Sequence, residues 1–164
     1  MEITMNNNWK QLFAEKLPLL GHRNWILVVD KAYPLQNSDG ITVCDSGESL
    51  PEVLEYVLGE VSKSTHVHPV VYFDQELKAL DESYCPGITE LRNQIVEKVN
   101  AAHPYAVNEM IHEDIIQKVD DRSKLFSMFV IKTEALLPYT SVFIELECGY
   151  WQPDQEKKLR DSMK

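Results

Sequence analysis

The chain predicts a single α/β domain, residues 1–164, with a mostly parallel β-sheet flanked by helices. Three observations lead there. Short runs of β-branched and aromatic residues such as WILVV (25–29) and PVVYF (69–73) have no polar interruption and stop abruptly at Asp30 and Asp74, as strands covered on both faces do. Amphipathic stretches at helical spacing separate these runs, and strands alternating with helices imply right-handed crossovers and a parallel sheet. The chain is 44% hydrophobic, enough to bury a core, and has no internal repeat, low-complexity tract or linker.

Along the chain, WKQLFAEKL (9–17) places Trp9, Leu12, Phe13 and Leu17 near helical spacing. Pro18 disturbs its last turn, and Gly21 is a plausible helix-ending residue. WILVV is the first strand. SDGITVCDSGE (38–48) reads as turn, short strand, turn. Ser49 and Glu52 then make a capping box, and Leu50, Val53, Leu54, Val57, Leu58 and Val61 form one apolar stripe. PVVYF is the next buried strand. ITELRNQIVEKVNAA (88–102) is a second amphipathic helix with Leu91, Ile95, Val96 and Val99 inward. VNEMI (107–111) is a short strand and HEDIIQKV a short helix. SMFVIKT (127–133) is a buried strand. SVFIELECGYW alternates from Val142, with Ile144, Leu146, Cys148 and Tyr150 on one face and Glu145, Glu147 and Gly149 on a wetter one.

Charge limits the function. With 26 acidic and 16 basic residues the net charge is -10, so the surface repels phosphate backbones and anionic membranes; a neutral ligand such as a sugar meets no such barrier. The three cysteines, 44, 85 and 148, form no CxxC pair, which fits a reducing cytosol rather than a disulfide scaffold or a Cys-rich zinc site. MEITMNNNWKQLF lacks the pattern of a signal peptide, and no apolar run approaches the ~20 residues of a membrane span, so the expectation is a cytoplasmic protein. No GxSxG, P-loop or dinucleotide fingerprint is present.

Ligands of such sheets collect beyond the carboxyl ends of the strands, where Asp30 and Asp74 fall. Taken singly, each aspartate has a plainer reading as a cap on the following turn, and His22 as a turn histidine bonded to backbone. His66-Val67-His68 could join His112 in a three-histidine metal site, although a solvated connection before Pro69 is the simpler reading. Cys44 and Cys148 fall in apolar strands, where a buried inert thiol is expected.

Gly21-His22, seven residues, Asp30, two residues, then Tyr33-Pro34 resembles the signature of the D-ribose pyranase and L-fucose mutarotase family. The order continues through VLEYVLGEV and PVVYFDQELK, MIHED (110–114), and FVIKTE followed by PYTSVFIELECGYW, so the resemblance spans roughly residues 9–151. It implies a cofactor-independent monosaccharide mutarotase or pyranase, interconverting anomers or pyranose and furanose forms, with no metal. In that reading His22 is the general acid/base, since an imidazole titrates near pH 7. Asp30 accepts hydrogen bonds from sugar hydroxyls, His112 is a second polar contact or proton carrier, and Tyr139 and Ser141 contact the sugar. Ser141 departs from the family's Tyr-x-Asn, and Lys132-Thr133-Glu134 lacks its glycine; residues 81–108 and 117–126 are longer or rearranged. The resemblance also implies a homo-oligomeric ring, a pentamer or decamer. Its pocket would lie at subunit contacts, with His22 and Asp30 facing one small hollow beside residues such as Tyr139 of a neighbour. Two other readings stand beside it: a non-catalytic sugar-binding or regulatory protein of the same fold, and a metal-dependent hydrolase or isomerase using His66, His68 and His112.

Overall fold

The structure, a computed structural model, describes residues 2–5 and 8–164, the first four by their backbone. One seven-stranded sheet holds it together. Its strands in chain order are β1 (Glu2–Met5), β2 (Trp25–Val29), β3 (Ile41–Asp45), β4 (Val67–Asp74), β5 (Ala106–Met110), β6 (Met128–Lys132) and β7 (Val142–Cys148). In space they run β1-β3-β6-β2-β7-β4-β5. Every pairing is parallel except those of β7, which runs against both β2 and β4. The mostly parallel sheet expected from the sequence is therefore present, with one reversed strand set between its two halves. That reversal brings the start of β7 to the ends of β2 and β4, where a site can form.

Helices α1 (Trp9–Lys16), α2 (Leu50–Lys63) and α3 (Ile88–Ala101) contribute to the core on one face, and α4 (His112–Ser123) covers part of the other. The first face buries Ile26, Val28, Phe129, Ile131 and Ile144 against Phe13, Leu54, Val57 and Ile95. The second buries Trp25, Leu27, Val130 and Phe143 against Ile115 and Val119. Consecutive residues of β2 thus feed opposite cores, which is why WILVV is apolar throughout. All six residues of the α2 stripe are buried, each worth about 1.5–3 kcal/mol of transfer free energy. Ser49 Oγ accepts from the Glu52 N–H at 3.4 Å; the reciprocal bond from the Glu52 side chain is not formed. No helix among the described residues is long and apolar enough to cross a membrane.

Four expectations need correction. Gly21 does not end α1: the helix stops at Lys16, a 3-10 turn over Leu17–Leu19 follows, and Arg23 takes the left-handed backbone (φ 77°). Val96 faces outward on α3. The sheet reaches Cys148 only, leaving Tyr150 exposed, and Glu145 is buried rather than wet, held by the Tyr72 hydroxyl at 3.1 Å. Finally, β1 and a C-terminal helix α5 (Pro153–Ser162) have no counterpart in the elements read from the sequence.

Candidate active site

The carboxyl end of the parallel strands gathers the polar residues. Asp30 follows β2 directly, and Ser141 precedes β7, which lies beside β2. Ser141 Oγ donates to Asp30 Oδ1 at 2.6 Å and accepts the Asp30 backbone N–H at 3.1 Å. The Asp30 carboxylate is therefore tied to the next strand, not to its own turn; the turn is closed by backbone, Tyr33 N–H to Asp30 O. Its remaining oxygen capacity is free for a ligand hydroxyl.

Asp74, at the end of β4, also does not cap the 3-10 turn that follows it, Gln75–Ala79. Its Oδ1 meets Nδ1 of His112, the first residue of α4, at 2.8 Å. Both Glu76 oxygens accept the His112 backbone N–H, at 3.0 and 3.1 Å, so an acidic side chain sits at the electropositive start of that helix. The Tyr139 ring meets the His112 ring edge-on with centroids 5.4 Å apart, and Tyr139 holds a left-handed backbone (φ 59°) that tyrosine rarely adopts. Burial pushes the Asp74 carboxyl up to about 6, with His112 opposing the shift and Glu76 and Asp30 adding to it.

Two further groups close the cluster. Lys132, ending β6, donates to the Tyr33 carbonyl, and desolvation lowers its ammonium while nearby Asp30 pulls it back up. Burial raises the Tyr33 phenol, helped by Asp74 and Asp30. Asp30, Ser141, His112 and Tyr139 are thus brought together on one chain, joined by Asp74, Glu76 and Lys132. Sequence reasoning left these last three without a role. Asp74 had a visible signal, a carboxylate at a strand's end; Glu76 and Lys132 had none beyond charge.

His22 is elsewhere. It precedes β2, whereas Asp30 follows it, and a five-residue strand spans about 17 Å at roughly 3.3 Å per residue. The expectation that these two side chains face one hollow of a single chain is therefore corrected, as is the placement of Tyr139 on a neighbour relative to Asp30. His22 Nδ1 pairs with Glu147 at 2.8 Å, near the far end of β7, and Arg23 donates to its Nε2 at 3.3 Å. Each of the two candidate imidazoles thus has a carboxylate on Nδ1. His22 opens onto a groove of about 990 Å³ over β4 and β7, shared with His68, Tyr105, Glu147, Trp151 and Arg160.

The three histidines of the metal reading also separate: His66 bonds the Leu17 and Leu20 carbonyls, His68 stacks on Tyr105, and His112 holds Asp74. No group of three or more metal-ligating side chains forms among the described residues. Cys44 is buried with its thiol pushed up to about 12 by desolvation, an inert side chain as expected.

Solved structures share this arrangement of strands and helices. Bacillus subtilis RbsD in complex with D-ribose covers 87% of this chain and 92% of its own, with a TM-score of 0.54 and 18% identity. The fucose mutarotase from Streptococcus pneumoniae in complex with L-fucose covers 87% and 96%, with a TM-score of 0.60 and 17% identity. FucU from Bifidobacterium longum covers 84% and 94%, at 0.52 and 12%. The chain has their fold. The ribose pyranase and fucose mutarotase architecture expected from the sequence is therefore present. No family model matches the sequence, and no curated protein matches it significantly.

On this RbsD-like fold the Asp30 cluster reaches the surface, with His112 and Tyr139 each about a third exposed. Leu35, Ile111 and Leu136, in the loops that follow β2, β5 and β6, are exposed at the same end of the sheet. One end of the molecule thus presents a polar cluster and exposed apolar side chains, and the other a groove holding the second imidazole.

Proposed function

We propose that this protein is a cofactor-independent monosaccharide mutarotase or pyranase, opening and reclosing the ring of a neutral sugar. The observation that carries the reading is the convergence of Asp30, Ser141, Tyr139 and the Asp74-backed His112 at the carboxyl end of the strands. A cyclic hemiacetal opens when the anomeric hydroxyl loses a proton and the ring oxygen gains one. Carboxylate, hydroxyl and phenol provide the hydrogen bonds that orient sugar hydroxyls, the tyrosine ring covers an apolar sugar face, and imidazole moves protons near neutral pH. The fold shared with RbsD and fucose mutarotase, whose structures hold D-ribose and L-fucose, supports the substrate class.

His22 joins this site from a second copy. The exposed Leu35, Ile111 and Leu136 on one end and the His22 groove on the other are different surfaces, and a contact between them is head-to-tail. Repeated head-to-tail contacts close into a ring where the rotation between neighbours closes and run on as a filament where it does not, and the closed case is the one proposed. In the closed ring, His22 of one copy protonates the ring oxygen of a sugar held by Asp30, Tyr139 and His112 of the next.

Saturation-transfer NMR on pentoses, hexoses and deoxyhexoses tests the reading. Exchange between anomers or ring forms above the spontaneous rate, reduced about 100-fold in His22→Ala, is the expected result. Binding of a sugar without any exchange would point instead to a non-catalytic sugar-binding or regulatory protein of the same fold.

A further inference from the structure

Asp74 combines features that folding alone does not ask for. Its side chain is fully buried, one oxygen bonds His112, and the other, Oδ2, has no hydrogen-bond partner. A buried carboxylate with an orphaned oxygen costs free energy that an asparagine or a small apolar residue would not incur. The partner it does have is fixed from a second direction, because Glu76 clamps the His112 backbone N–H. With Nδ1 engaged, Nε2 is the free nitrogen of a ring whose side chain is one-third exposed. It lies in the same cluster as Tyr139 and Asp30.

Resting on the function proposed above, we infer that Asp74 and His112 act as one dyad: His112 is the base for the sugar's anomeric hydroxyl, and Asp74 is the positioning residue that keeps the neutral imidazole protonated on Nδ1 and unprotonated on Nε2. As the C1–O5 bond breaks, the O1–H proton moves to His112 Nε2 and C1=O1 forms. The electron pair stays on O5, which takes the Nε2 proton of the imidazolium form of His22 of the adjoining copy, with Arg23 turned away from that nitrogen and Glu147 holding Nδ1–H. Reclosure on the other face of C1 returns both protons, O5–H to His22 and Nε2–H to O1, so no co-reactant is consumed. Asp74 remains ionised beside the imidazolium throughout and stabilises it.

Other charges face the pair. Glu76 comes from the 3-10 turn, Asp30 and Tyr33 from the end of β2 and its loop, Lys132 from β6 beside Asp30, and Tyr139 from the loop before β7. On α4 itself Glu113 and Asp114 occupy the first turn, and Arg92, Lys78 and Glu109 border the concavity behind Asp74. Because these remain in an Asp74→Asn variant, a change of pH profile there reports Asp74.

The test uses the full-length protein, a sugar on which wild-type exchange is measured, and the variants Asp74→Asn, His112→Gln and the pair combined. Each single variant is expected to slow exchange about 10–100-fold, and the double variant no further than His112→Gln alone. Wild-type exchange should fall as the pH drops through about 6, and Asp74→Asn, in which His112 remains as the base but no carboxyl titrates beside it, should shift that limb. The ¹⁵N shifts of His112 provide a readout that needs neither a variant nor turnover: neutral His112 carries its proton on Nδ1 in the wild type, and in Asp74→Asn the amide can donate to Nδ1 and move that proton to Nε2. A wild-type proton on Nε2, additive losses in the double variant, or an Asp74→Asn rate equal to wild type would each overturn the dyad while leaving the proposed function standing. A wild type that exchanges no sugar overturns the function and the dyad's role together.

Discussion

Asp30 and Asp74 end two buried strands in the same manner, yet only Asp30 sits inside a motif with His22 and Tyr33-Pro34 that marks it in the sequence. Asp74 is indistinguishable there from a turn cap, because what gives it a role, His112, is 38 residues away. Its burial has a thermodynamic consequence. The folded protein holds the Asp74 proton up to about 6, above the ordinary carboxylate value, so the neutral form is favoured by folding. Stability from that group is fully present below the unfolded pKa of ~3.9 and is lost as the pH rises through about 6. Urea unfolding of wild type and Asp74→Asn at pH 4 and pH 7.5 should therefore differ: relative to the variant, wild type loses on the order of 2–3 kcal/mol between the two pH values. Parallel pH dependence of the two proteins would contradict the assignment. His22 is equally visible in sequence, but the five-residue strand between them holds it and Asp30 at opposite ends of β2 within one chain.

At the scale of elements, the sequence is most legible where one face or both faces are apolar. Trp25–Val29 matches its strand residue for residue, and α2 follows its six-residue stripe. Helix α5 lacks such a stripe and buries no residue. It is held by a capping box between Gln152 and Gln155 and by ion pairs at four-residue spacing, Lys157 to Asp161 and Arg160 to Glu156, which hydrophobic periodicity does not detect. Strand β1, four residues pairing with the edge of β3, is too short to stand out by pattern. The turn after β7 depends on close backbone approach at Gly149. Its N–H donates to the His66 carbonyl at 2.8 Å, and a Cβ there would lie 2.5 Å from the Thr65 oxygen and 2.8 Å from the Val67 nitrogen. Gly149→Ala must push β7 away from β4 and should cost about 1–3 kcal/mol by thermal or urea unfolding. Because Glu147 is two residues away, the same variant should disturb the His22–Glu147 pair before it disturbs Asp30, whereas wild-type stability in Gly149→Ala would mean that the turn is free to adjust.

The whole molecule divides its polar chemistry between two ends of one sheet, and the antiparallel β7 carries a residue of each: Ser141 on Asp30 at its start and Glu147 on His22 near its end. A net charge of -10 disfavours anionic ligands and leaves neutral sugars unaffected, consistent with a cluster built from hydroxyl, phenol, imidazole and carboxylate. Light scattering should give a mass several times that of one chain, since an isolated copy holds the two imidazoles apart. The most direct test mixes two defective proteins. His22→Ala and His112→Gln should each exchange sugar anomers about 10–100-fold more slowly than wild type, and subunits dissociated together and reassembled in equal amounts should regain about a quarter of wild-type exchange, because a head-to-tail contact pairs an intact His22 with an intact His112 in about one case in four. Confirmed mixed assemblies that stay as slow as the two parent variants, or a His22→Ala protein that exchanges as fast as wild type, would contradict a site built from both ends of the sheet.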